Sequence, residues 1–119
     1  MTKQIGDDAR TVDTAHVAEP APAALDAAVA ALKLLADGTR LRIVWQLLHG
    51  EHSVNDLAAH IGIAPAAVSH HLAKLRLAGV VRTRRDGNRI FYAAHDHHIE
   101  ALVAEALRHA EHLPRRDRS

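Results

Sequence analysis

Two short apolar-periodic segments separated by Gly62-Ile63-Ala64 restrict this chain more than any other feature in it. Before the break, Ser53 stands where a helix needs an N-cap. Asp56, three residues on, resembles the acidic half of a capping box. Val54, Leu57, Ala58 and Ile61 then fall on one face of a short helix. After the break, Pro65 opens a second helix at a position where proline is favoured because its missing N–H goes unused. That helix runs to about Ala78, with Val68, Leu72 and Leu75 facing inward. His71 lies between them and reads as a packed, hydrogen-bonded core histidine. Ala66, Ser69, His70, Ala73 and Lys74 point away. A short helix, a glycine-containing turn and a second helix with a small polar outward face form a helix-turn-helix pattern.

The flanking segments extend this pattern. Upstream, Leu25, Ala28, Val29, Leu32 and Leu35 make a stripe on a helix from about Ala23 to Ala36, suited to a dimer seam. Asp37-Gly38 breaks it, and Thr39 is placed to cap a helix from Arg40 to about His49. The inner face of that helix is Leu41, Val44, Leu47 and Leu48, with Trp45 in core or interface packing. Downstream, Val80 to Arg84 and Arg89 to Ala93 read as two strands around Asp86-Gly87, a hairpin signal. From Ala66 to Tyr92 there are six Lys or Arg against one acid, so a phosphate backbone is a fitting partner for this stretch. The fold class is therefore mainly α with a small β-hairpin wing: a winged helix-turn-helix, dimerised through its first and last helices. Residues 1–22 read as a flexible N-terminal arm, 23–113 as the DNA-binding and dimerisation domain, and 114–119 as a basic tail. No apolar run approaches a membrane span and no signal-peptide core opens the chain, so a cytoplasmic protein is expected.

The last helix, about Asp96 to Leu113, carries a second kind of chemistry. Asp96 and His98 stand at its start, His109 and His112 at its end, with Ile99, Leu102, Val103, Ala106 and Leu107 between. Imidazole and carboxylate are good ligands for divalent metal, whereas the absence of cysteine excludes disulfides and thiolate sites. A helix rises about 1.5 Å per residue, which puts His98 and His109 roughly 16 Å apart. A zinc–nitrogen bond is about 2 Å, so one helix cannot close the site on itself. Eleven residues is close to three turns, so both pairs share a face. Two copies packed antiparallel would bring Asp96 and His98 of one chain against His109 and His112 of the other, twice, about a twofold axis. Asp96 also sits at the N-cap, a role that would by itself account for it.

The order of elements, Leu35-Ala36-Asp37-Gly38-Thr39-Arg40-Leu41-Arg42-Ile43, and Val68-Ser69-His70-His71-Leu72 together resemble the ArsR/SmtB family of winged-helix repressors over roughly residues 24–113. Gly38 stands where proline is commoner in that family. The resemblance implies a homodimer that binds double-stranded operator DNA without metal and is released by metal, so controlling metal efflux or homeostasis genes. Ser69, His70 and Lys74 would meet base edges or phosphates, and Arg84, Arg85 and Arg89 on the wing would meet backbone or minor groove. The cysteine site that some members carry before the recognition helix is replaced here by Ser53-Val54-Asn55-Asp56-Leu57. The final-helix site of other members matches Asp96, His98, His109 and His112 position by position. His95 and His97 fall outside that pattern. The resemblance further implies a ligand histidine donating its outer ring N–H to a carbonyl near Gly79. Three nitrogens and one carboxylate suit tetrahedral Zn(II). Ni(II) or Co(II) is the alternative, with Glu111 and His16 as the obvious additional donors. A winged-helix repressor without metal regulation is the other alternative. Four protein ligands leave no open position for hydrolysis, and no nucleophile motif or phosphate loop occurs, so an enzyme is not expected.

Overall fold

The computed structural model describes residues 17–114. Most of the arm, with His16, and the basic tail beyond Pro114 lie outside them. The described chain runs α1 (Pro22–Leu35), α2 (Gly38–Leu47), α3 (Val54–Ile61), α4 (Pro65–Leu77), β1 (Val81–Asp86), β2 (Arg89–Ala94) and α5 (His97–Glu111). No described helix is long and apolar enough to cross a membrane.

Local chemistry sets most of the boundaries. Asp37, not Thr39, caps α2: its extended backbone turns a carboxylate oxygen toward the Arg40 N–H at 2.9 Å, so the helix starts two residues earlier than expected. Gly38 therefore occupies the first helical position, where a proline would also fit. The capping box at α3 is present in both directions, Asp56 N–H to Ser53 Oγ at 3.1 Å and Ser53 N–H to Asp56 Oδ2 at 3.4 Å. α4 ends in paired bonds: the Gly79 N–H donates to the Arg76 carbonyl and the Val80 N–H to the Leu75 carbonyl. This closure needs a left-handed residue, and Gly79 supplies it at φ 73°.

The hairpin pairs Val81 with Ala94 through to Asp86 with Arg89, leaving Gly87-Asn88 as the turn. The turn thus lies one residue beyond the expected centre, because Gly87 takes the positive φ of 63° and Asp86 stays in the ladder. One isolated antiparallel bridge was not anticipated: His52 exchanges both backbone hydrogen bonds with Tyr92, at 3.1 and 2.8 Å. It ties the α2–α3 loop to the outer edge of the wing.

The core gathers Ile43, Val44 and Leu47 of α2, Leu57 of α3, Val68, Leu72 and Leu75 of α4, Val80 and Val81 at the wing base, and Val103 of α5. Ile43 is fully buried although it fell outside the face expected for α2. Two arginines close helix ends around this core. The Arg40 Nε–H donates to the Leu34 carbonyl at 2.7 Å and Arg42 Nη2 donates to the Ile61 carbonyl at 3.1 Å. These carbonyls lie in the last turns of α1 and α3, where helical partners run out. By contrast, the stripe on α1 is largely bare: Leu25, Val29 and Leu32 are 47%, 40% and 50% exposed. On α5, Leu102 is 40% exposed while Val103 is buried.

Replacing Ser53 by Ala removes the acceptor for the Asp56 N–H and should destabilise the fold by about 1 kcal/mol. Urea unfolding checks it: the midpoint falls while the slope stays unchanged.

Candidate metal centre and nucleic-acid interface

α5 positions the candidate metal donors at its two ends. Asp96 takes an extended backbone and its Oδ1 accepts the Ile99 N–H at 3.1 Å. That backbone bond is the main cause holding its carboxyl below the ordinary aspartate value, with His98 and His95 adding favourable charge. A carboxylate offers about four lone-pair sites, so capping leaves capacity for a metal. His97 and His98 follow with ring centroids 4.2 Å apart. At the other end His109 lies in the last turn and His112 is the C-cap. All three predicted histidine ligands are exposed.

Among the described residues of this single chain, no three His, Cys, Asp or Glu side chains come together as a metal site. Asp96 and His98 are brought together, as are His109 and His112 by their spacing, but the pairs stay apart. The exposed Leu102 and Ala106 lie between them. Glu111 is exposed next to His112, and His16 lies outside the described residues. The carbonyls of Leu75 and Arg76 near Gly79 already accept the bonds that end α4.

The second group of candidates surrounds α4. Ser69, His70 and Lys74 are all exposed on the side opposite Val68, Leu72 and Leu75. Ala66 and Ala73 share that exposed side, so the backbone there is open to close approach. His71 is packed as expected, but the expected hydrogen bond is missing: its Nδ1 is buried and has no partner.

On the wing, Arg85 and Arg89 are exposed near the turn. Arg84 is engaged inside the chain. It forms a bidentate pair with Glu51, Nη2 to Oε1 at 2.7 Å and Nε to the two carboxylate oxygens at 3.0 and 3.2 Å. Its guanidinium also lies 5.0 Å from the Phe91 ring centre, and Arg89 lies 4.9 Å from it. Nothing in the sequence marked Glu51 as a partner, because it is 33 residues from Arg84.

Two packed helices with an exposed small polar face, followed by an arginine-rich hairpin, define a winged helix-turn-helix DNA-binding protein. Residues 37–83 match the bacterial regulatory protein, arsR family, model. The chain is 46% identical over 95 residues to the HTH-type transcriptional regulator KmtR of Mycobacterium tuberculosis, covering 76% of this chain and 73% of that one. It is 38% identical over 93 residues to the HTH-type transcriptional repressor SmtB of the same species, covering 78% and 69%. Among solved structures, it superposes at TM-score 0.72 and 31% identity on a homodimeric winged helix-turn-helix DNA-binding domain from Mycobacterium bovis, described as a possible ArsR-family regulator, covering 87% and 99%. The chain belongs to the ArsR/SmtB family of winged-helix transcriptional regulators; it is a DNA-binding regulator and not an enzyme.

The capping carboxylates make acid sensitivity predictable. Asp37, Asp56 and Asp96 are all held below the ordinary aspartate value, first by backbone N–H groups. A depressed folded value means that their contribution is complete above about pH 4 and is lost as pH falls through the lowered values. The helical signal of the metal-free protein should therefore stay level from neutrality to about pH 4 and decline below it. Asp96→Asn, which caps without titrating, should remove the α5 share of that decline. Circular dichroism across an acid titration checks both.

Proposed function

We propose that the chain is a metal-responsive transcriptional repressor that binds operator DNA as an apo homodimer. Binding of Zn(II) at an intersubunit site on α5 releases it, so that metal efflux or homeostasis genes are expressed. The observation that carries this reading is the pair of half-sites on α5: two donor pairs at opposite ends of one helix, their histidines exposed, each pair incomplete. The bare apolar stripe of α1 and the exposed Leu102 supply a surface for a second copy, since contiguous exposed apolar area marks interaction sites.

In the proposed dimer, Asp96 and His98 of one protomer and His109 and His112 of the other hold one ion, and the twofold axis makes a second such set. Three imidazole nitrogens and a carboxylate oxygen fit the ligand types and number of a closed zinc site. The ion supplies a cross-link between the two α5 helices. Ser69, His70 and Lys74 of each α4 enter successive major grooves, and Arg85 and Arg89 of the wings reach the backbone or minor groove. A dimer geometry fixed by the cross-link that misaligns the two α4 helices makes metal and DNA weaken each other by one common factor.

A second reading keeps the site and changes the ion. The His97 ring lies beside that of His98, centroids 4.2 Å apart, and Glu111 adjoins His112 in sequence, so a rearranged half-site could recruit a further donor. A higher coordination number of this kind favours Ni(II) or Co(II). Competition among the three metals for operator release distinguishes the readings.

Exchange of half-sites tests the bridge directly. A chain carrying Asp96→Ala and His98→Ala keeps only the second pair, and a chain carrying His109→Ala and His112→Ala keeps only the first. Each homodimer should bind no Zn(II) tightly. The mixed heterodimer should bind one ion, because one complete set of four is restored. Equilibrium dialysis of the purified heterodimer gives the count, and a value of zero overturns the intersubunit site. In parallel, Zn(II) should release operator DNA from the wild type and leave the His98→Ala/His109→Ala variant bound in a gel shift.

A further inference from the structure

We propose that Glu51 is an electrostatic brake on the wing, competing with DNA phosphate for Arg84. The inference rests on the reading above in one respect, that the wing meets DNA. Its own basis is the geometry of the α2–α3 loop. The paired backbone bonds between His52 and Tyr92 hold Glu51 at the outer edge of the wing. Residues opposite one another in an antiparallel ladder share a face of the sheet. Arg82, opposite Ala93, Arg84, opposite Phe91, and Arg89, two residues before Phe91, therefore share one face. Glu51 takes the Nε–Nη2 edge of the Arg84 guanidinium. Both guanidiniums that lie over Phe91, of Arg84 and Arg89, are thus presented together, with Asp86 opposite Arg89 on the same face, and Glu51 pairs with one of the two.

Magnitude makes this a competition and not a permanent clamp. The side chains of Arg84 and Glu51 are 48% and 33% exposed. An ion pair in such a setting is weak, and salt screens it. A phosphate oxygen offers the same guanidinium an equivalent charge-assisted contact. Arg84 can therefore exchange its carboxylate for a phosphate, but only by losing what Glu51 provides. A duplex that does not seat the wing squarely gains nothing from Arg84. The carboxylate thereby lowers affinity for DNA in general, and only a site that seats the wing recovers the Arg84 contact, which is a contribution to specificity by a residue that touches no base.

The test uses full-length apo protein and a fluorescein-labelled mixed-sequence duplex, read by anisotropy over a potassium chloride series. Glu51→Gln keeps an acceptor oxygen for Arg84 and removes the charge. It should bind this duplex more tightly at low salt. Its plot of log affinity against log salt should steepen by about 0.9 for each extra phosphate engaged, hence by up to about 1.8 for two wings. Arg84→Ala should flatten the slope strongly in the Glu51→Gln background and little in the wild type. A Glu51→Gln protein with unchanged or weaker binding overturns the brake. So does a gain that survives in Glu51→Gln/Arg84→Ala, which would reflect the net charge and not Arg84. If the wild-type protein binds no duplex at low salt, the functional reading fails first and the brake falls with it.

Discussion

Helices leave their last carbonyls without partners, and in this fold two guanidiniums from α2 take up that need. Arg40 reaches back to the end of α1 and Arg42 reaches across to the end of α3. Between them α2 buries Ile43, Val44 and Leu47 at the centre of the core. The same helix therefore fixes the direction of α1, which carries the bare apolar stripe, and of α3, which leads into α4. A domain of this size has little apolar surface to spare. Joining three helices through charged donors to the carbonyls at two helix ends lets a small core determine a relative orientation that apolar packing alone would leave loose.

The consequence for function lies in what the core does not cover. α5 buries Val103 and leaves Leu102 and its histidines outside, and α1 leaves three large apolar residues at least 40% exposed. In the proposed assembly these surfaces meet their copies. The metal site then inherits the symmetry of that contact, because each donor pair is half a coordination shell. Such an arrangement makes metal binding report on the relation between two protomers, the same relation that sets the spacing of two α4 helices. A site complete within one chain would carry no such information.

One residue type divides its labour across the fold. Arg40 and Arg42 serve helix ends, Arg84 is held by Glu51, and Arg85 and Arg89 stand exposed. The basic stretch from Ala66 to Tyr92 thus contains one arginine with a carboxylate partner, Glu51, which enters the hairpin face from a loop far away in sequence. The short pairing of His52 with Tyr92 is what brings it there.

Much of this protein was written in local spacing. The Ser53 and Asp56 box, the glycine turn before Pro65, the 3.6-residue stripes and the Asp86-Gly87 hairpin signal all act over fewer than about five residues, where steric and hydrogen-bond rules operate without the rest of the fold. Even the inability of one α5 to close a metal site follows from helical rise alone. What spacing could not reveal depends on contacts between distant segments. Asp37 displaced Thr39 as the cap of α2, Arg40 and Arg42 were tied to the ends of other helices, His71 was packed with an unpartnered nitrogen, and Arg84 was drawn to Glu51. Apart from the local choice of cap, each outcome is decided by which atoms the folded chain brings within about 3 Å, a distance on which linear order is silent.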